Sequence, residues 1–283
     1  QQGEVVSWFI IGLAPDGGRI PDYALPKIVG ALKSKLNIVS GLHDFLTEDE
    51  YLLKLAQKNG CELIDVRKPP HRNDLHFFSG KIEEVSCPKI AILGTDSAIG
   101  KRTTAWLLVH SFRNAGKKVE MIGTGQTSWL QGAKYSIILD SLVNDFVSGE
   151  IEHAIHEAWR REHPDVLILE GQGGLLNPAY PGGFELIAAG RPDYIVLQHA
   201  PRRQDYDGFP GYPIHDIHRQ KEAIEIISGK EVIAITVNHE GMAREEMSRE
   251  CQVITEKTGL PAFDPLEQGA DGLMEVIKGK LER

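Results

Sequence analysis

The 283-residue chain is 41% hydrophobic and 25% charged, which fits a soluble globular protein with room for two modest domains. Its net charge of −9 argues against nucleic acid as the main partner, because duplex binding needs clustered basic surface; a local basic pocket for a phosphate ligand stays open. No apolar run approaches the ~20 residues that span a bilayer, and no signal peptide is visible. Cys61, Cys87 and Cys251 are widely spaced and form neither a CxxC motif nor a disulfide framework, so a reducing cytoplasm is expected. The chain opens on Gln1 with its first element almost at once, and reads as a shortened chain.

The first part alternates strand and helix patterns. VVSWFIIGL (5–13), LNIVSGL (36–42) and CELIDV (61–66) are predicted strands, with helices over about 21–35 and 47–60. In the second helix Thr47 is the expected N-cap, Glu50 follows three residues on, and Gly60 is the stop. APDGGR (14–19) is a turn, and a small-molecule site beside it stays open. RKPPHRNDLHFFSG (67–80) has no periodicity, and a domain boundary is placed near residue 86, giving domains 1–86 and 87–283. Three strands make a thin sheet that needs covering, so a homo-oligomer is expected.

The second part has five near-continuous apolar runs: 89–94, 118–123, 165–171, 194–199 and 232–238. Helical patterns lie at about 101–115, 148–163, 215–228 and 267–282, with Gly116 placed to stop the first. This is an α/β fold with a doubly wound parallel sheet, whose ligands bind at the carboxyl ends of the strands.

GTDSAIGKRTTAW (94–106) follows the first of these strands and opens a helix. It has the physical make-up of a phosphate-binding loop: Gly94 and Gly100 for a tight turn, inward N–H groups from Gly94, Thr95, Asp96, Ser97, Ala98, Ile99 and Gly100, then Lys101. The spelling departs from the usual one, with five residues between the two glycines and Arg102 where a hydroxyl belongs; Thr103 and Thr104 follow. After the second strand, Gln126, Thr127 and Ser128 are placed at the same crevice. After the third comes EGQGGLLNPAYPGG (170–183), with Glu170 as a candidate acid and Gln172, Gly173 and Tyr180 on the substrate side. After the fourth, His199 reads either as a general base or as a polar capping residue. Arg202 and Arg203 are candidates for holding a carboxylate or phosphate. After the fifth, Asn238 is suited to a purine edge. His153 with His156, and His215 with His218, have metal-binding spacing but read as solvated helix faces.

GTDSAIGK, EGQGGLL and the Asn after the last strand resemble dethiobiotin synthetase and its amidotransferase relatives, which share the five-residue spacing. That resemblance implies Mg²⁺ held by Asp96 and Glu170, with Thr103 in place of the usual hydroxyl ligand. A broader set, IIGLAPDGGRIP, IVSGLHDFL, IDVRKPP, LHFFSG, GTDSAIGKRTTA, TGQTSWL, DFVSG and EGQGGLLNPAY, is similar to one family across almost the whole chain. That family, long catalogued as a domain of unknown function, pairs an N-terminal Rossmann-like domain with a C-terminal P-loop domain. It includes a D-glutamate N-acetyltransferase. In this chain Ser97, TSW (127–129) and NPAYPGG (177–183) depart from the usual spelling.

The resemblance implies acetyl transfer from acetyl-CoA to an acidic amino acid. Lys101 and the loop would grip phosphate, Asn238 would meet adenine, Glu170 or His199 would take the amine proton, and Arg202, Arg203 or Arg67 would fix the acceptor's carboxylates. The alternatives are ATP- and Mg²⁺-dependent ligation or kination, and nucleotide binding without catalysis.

Overall fold

The computed structural model describes residues 6–13 and 15–282. Val5 of the first predicted strand and Ala14 of the APDGGR turn lie outside them. The chain forms two compact units: one runs to Asp74 and includes Ile138–Leu142, and the other comprises Leu75–Ile137 and the chain from Val143.

In the first unit β1 (Trp8–Ile11), α1 (Leu25–Lys33), β2 (Asn37–Ser40), α2 (Glu50–Asn59) and β3 (Leu63–Asp65) build a three-stranded parallel sheet in the order β1-β2-β3. Pro26, in the first turn of α1, needs no N–H bond there. Ile28, Leu32, Ile38, Leu42, Leu46 and Leu52 form the core. Asp49, not Thr47, caps α2: its carboxylate accepts from Leu52 N at 2.9 Å, and Gly60 closes the helix at φ 68°. Thr47 instead donates its hydroxyl to the buried Asp65 carboxylate at 2.7 Å. Arg67 bonds the Gly41 carbonyl and the Asp140 carboxylate, so its charge is used within this unit.

The second unit starts with β4 (Lys89–Gly94), α3 (Lys101–Asn114), β5 (Val119–Gly123), α4 (Gln126–Leu130), β6 (Tyr135–Ser136), α5 (Asn144–Glu162) and β7 (Val166–Glu170). It continues with α6 (Phe184–Gly190), β8 (Tyr194–His199), α7 (Ile217–Ser228), β9 (Val232–Val237), α8 (Arg244–Thr258), β10 (Ala262–Phe263), α9 (Pro265–Gln268) and α10 (Asp271–Leu281). The seven-stranded parallel sheet has the order β10-β9-β8-β4-β7-β5-β6. The five expected strands are present, and β6 and β10 add a short strand at each edge. β4 sits where the order turns back on itself, the place at which such sheets open a crevice. Every residue of β4, β7 and β9 is buried, as two helical layers require.

The division between the units falls at Asp74/Leu75, not near residue 86, because residues 76–84 are bound to α5. His76 N and Nδ1 meet the Glu150 carboxylate at 2.6 and 2.9 Å, and Ser79 N and Oγ donate to Glu152 at 2.7 and 2.8 Å. Gly149 lets the two backbones touch: a Cβ there would lie 2.1 Å from the His76 carbonyl oxygen. Gly149→Ala is therefore expected to cost about 2–3 kcal/mol through overpacking, read as a lower urea midpoint at unchanged slope.

Candidate functional site

The carboxyl ends of β4, β5, β7, β8 and β9 meet around residues 94–101. The loop leaves β4, takes Ala98 through φ 49° and Gly100 through φ 98°, and enters α3 at Lys101. Lys101 is 6% exposed, and its ammonium donates to the Asp96 carbonyl at 2.6 Å and the Gly173 carbonyl at 2.7 Å. One side chain thus ties together the two glycine-bearing loops. Gly173 has φ 49°, and a Cβ there would lie 2.0 Å from the Tyr180 carbonyl oxygen, so this contact with Lys101 depends on glycine.

Burial lowers Lys101 to about 8, against the pull of Asp96 and Glu170. The unfolded chain holds that proton more tightly, so Lys101's contribution to stability rises as pH climbs from about 8 toward 10.5. Affinity for an anion in the crevice must fall over the same range, since only the ammonium attracts it. Titration calorimetry with inorganic pyrophosphate as the anionic probe, between neutral and alkaline pH, is expected to show that loss setting in near pH 8.

Asp96 is fully buried and all four of its acceptor positions are used. Oδ1 accepts from Ser97 N and Asn177 Nδ2, both at 2.7 Å; Oδ2 accepts from Arg203 Nη1 at 3.0 Å and Asp207 N at 2.9 Å. Arg203 also donates to the Ser97 carbonyl and to Glu240, and Ser97 Oγ donates to Asp207. The segment after β8 is thereby fastened over the loop. Glu170 is 7% exposed, and its Oε2 accepts from Thr124 N at 3.0 Å and Ser128 Oγ at 2.6 Å. Burial raises its carboxyl above the ordinary range, opposed by those two bonds and by Arg102 and Lys101. His199 Nδ1 lies 3.0 Å from Thr95 Oγ1, and burial lowers the imidazole to about 4, leaving it neutral near pH 7 and a weak base.

Several residues are placed differently from the sequence expectation. Thr104 donates to the buried Gln198 amide at 2.6 Å and is spent inside the fold. Thr103 faces a 360 Å³ cavity with Trp106, Leu107, His110 and Gln131. Arg202 turns to Glu246 on α8, and Arg203 takes the position on the loop. Asn238 donates to the Ile99 carbonyl at 2.9 Å and accepts from Glu240 N, so its amide already braces the loop. Of the β5 segment it is Ser128, not Gln126 or Thr127, that reaches Glu170, while Gln172 bonds the Thr124 carbonyl. The Tyr180 ring is exposed at the rim. Asn177 and Asp207, to which the sequence assigns no role, complete the bonding of Asp96.

Mg²⁺ held by Asp96, Thr103 and Glu170 does not fit these residues. Asp96 has no free lone pair, and the residue after Lys101 brings a cation instead of a hydroxyl ligand. Arg102 Nε, at the start of α3, and Thr124 Oγ1, just after β5, are buried side-chain atoms without a hydrogen-bond partner. Buried donors are seldom left so.

Residues 76–274 match the DUF1611 family, described as a domain of unknown function and P-loop domain, and residues 1–69 match its Rossmann-like N-terminal domain. The chain belongs to the DUF1611 family. A DUF1611 protein of Anabaena variabilis has a solved structure that superposes with a TM-score of 0.88 at 29% identity, over 95% of this chain and 79% of that one. A protein of a Pseudoalteromonas species named D-glutamate N-acetyltransferase is 31% identical over 94% of this chain and 80% of its own length. A protein of the same name from Tritonibacter scottomollicae is 28% identical over 95% of this chain and 80% of its own. The Rossmann-like and P-loop pairing expected from the motifs is thus that of the DUF1611 family. Among the described residues no helix is long and apolar enough to cross a membrane.

Proposed function

We propose that this protein transfers the acetyl group of acetyl-CoA to the amine of an acidic amino acid, D-glutamate being the first to test. The observation that carries this reading is the similarity, along 94% of the chain, to a D-glutamate N-acetyltransferase. The crevice chemistry is compatible with it. Coenzyme A carries a diphosphate and a 3′-phosphate, and Lys101 with the N–H groups of the loop supplies the charge and donors to hold one of them.

In the reaction the amine nitrogen attacks the thioester carbonyl, a C–N bond forms, and collapse of the tetrahedral intermediate breaks the C–S bond. The amine loses a proton and coenzyme A departs as a thiol. Glu170 is the base we assign: it is buried, its Oε1 makes no hydrogen bond among the described residues, and burial raises its affinity for a proton. Backbone N–H groups of the glycine loops are the donors proposed for the developing oxyanion. Gln126, Thr127, Gln172 and Tyr180 remain the proposed acceptor side. Saturation of the Asp96 carboxylate speaks against the Mg²⁺-ATP ligase alternative.

The test is thiol release from acetyl-CoA with a panel of D- and L-amino acids, with and without ATP and Mg²⁺. Release with D-glutamate that is indifferent to ATP is expected; ADP formation without thiol release would overturn the reading. Glu170→Gln is expected to lower kcat by about 10²–10⁴ with little change in coenzyme A affinity, and His199→Gln to have a much smaller effect.

A further inference from the structure

We propose that this crevice binds the diphosphate of its ligand as a free anion, without a divalent cation, with the Arg102 guanidinium supplying the positive charge that a metal ion supplies in other P-loops. The inference deepens the proposed function and rests on reading the crevice as a diphosphate site.

Four observations converge. First, Arg102 occupies the place of the Ser or Thr whose hydroxyl binds Mg²⁺ in a P-loop. Second, the carboxylate that the wider P-loop resemblance assigns to the metal, Asp96, already accepts from Ser97, Asn177, Arg203 and Asp207.

Third, Lys101 and Arg102 stand side by side at the start of a 14-residue helix whose first turn contains no acidic residue. Two cations at the positive end of a helix dipole repel it and each other, so the arrangement calls for an anion. Lys101 hydrogen-bonds only two carbonyl oxygens and forms no ion pair among the described residues.

Fourth, Arg102 makes no hydrogen bond or ion pair among the described residues, and its Nε is buried from solvent. An arginine whose role is to sit in water does not bury that N–H. Glu170 spends Oε2 on Ser128 and Thr124 and forms no ion pair with the guanidinium. The planar fork thus stays open for two oxygens of a phosphate, the geometry that guanidinium matches best.

The experiment is titration calorimetry of the full chain with coenzyme A and with ADP, each in EDTA and in millimolar Mg²⁺, repeated on Arg102→Met, Arg102→Lys and Arg102→Thr. Coenzyme A affinity is expected to agree within about twofold between EDTA and Mg²⁺, because the charge comes from the chain. Arg102→Met should weaken binding by about tenfold or more, Arg102→Lys by less, with thermal melts showing the variants folded. Arg102→Thr should make what binding remains respond to Mg²⁺.

A tenfold gain from Mg²⁺ in the unaltered protein would overturn the proposal whatever the variants do, as would undiminished binding by a folded Arg102→Met. Metal-independent binding of ADP without binding of coenzyme A would leave this proposal standing and sink the acetyl-CoA reading instead. Binding of neither in either buffer would sink both.

Discussion

Lys101→Met is expected to weaken coenzyme A binding by about ten- to a hundredfold, while the protein stays as stable or becomes slightly more so. Both halves follow from the same burial. The ammonium is almost without solvent and holds only two carbonyl oxygens, so the fold carries a buried charge whose desolvation outweighs the pull of Asp96 and Glu170. A methionine fills similar space without that desolvation cost. The ligand, by contrast, loses the charge-assisted bond of the one N–H that the carbonyls leave, worth about 1.5–3 kcal/mol, or roughly ten- to a hundredfold in affinity. Calorimetry and a thermal melt on the same sample check both. Unchanged affinity would remove Lys101 from the phosphate grip; a large fall in melting temperature would mean that its bonds to Asp96 and Gly173 hold the loops together more than they strain them.

Asp96→Ala is expected to act in the opposite sense, through stability. It strands Asn177 Nδ2, two backbone N–H groups and the Arg203 guanidinium, all of them around a position with no exposure. Removing one partner of a buried ion pair costs about 3–5 kcal/mol, or on the order of 10 °C in melting temperature for a unit of this size. Asp96→Asn keeps acceptance at Oδ1 but turns an NH₂ toward Arg203 and Asp207 N, donor against donor, and should recover only part of the loss. If Asp96→Ala melted like the parent, the carboxylate would not be the fastening point of the loop and of the segment after β8, and its assignment to a metal would reopen.

The sheet was legible because burial on both faces forces uninterrupted apolar runs, and KIAILG, DVLILEG and VIAITVN are such runs. The P-loop was legible because its backbone needs glycine at fixed places next to a lysine. α8 was not, because only Cys251 and Ile254 of its residues are buried and it offers hardly any apolar stripe. The edge strands β6 and β10 are two residues each, too short for any pattern. Within the site, sequence position located the strand ends but not which neighbour turns inward. Arg202 and Arg203 are adjacent, and it is the bond to Asp96 that selects the second. Asn177 lay inside a quoted motif, yet nothing local signals that its amide faces an aspartate 81 positions earlier. The boundary was misplaced because the contacts of His76 and Ser79 are with α5, far along the chain.

The position of β4 between β7 and β8 also sets an order of events during folding. The glycine loop is made early, but both strands that flank it, the Gly173 carbonyl that receives Lys101, and the Arg203 and Asp207 groups that hold Asp96 all come much later in the chain. Pairings of such long sequence separation are slow to close, so a nascent chain carries the complete loop sequence well before it has a binding site. A ligand of this crevice therefore recognises only the finished unit, and its binding adds directly to the free energy that keeps the central strands paired.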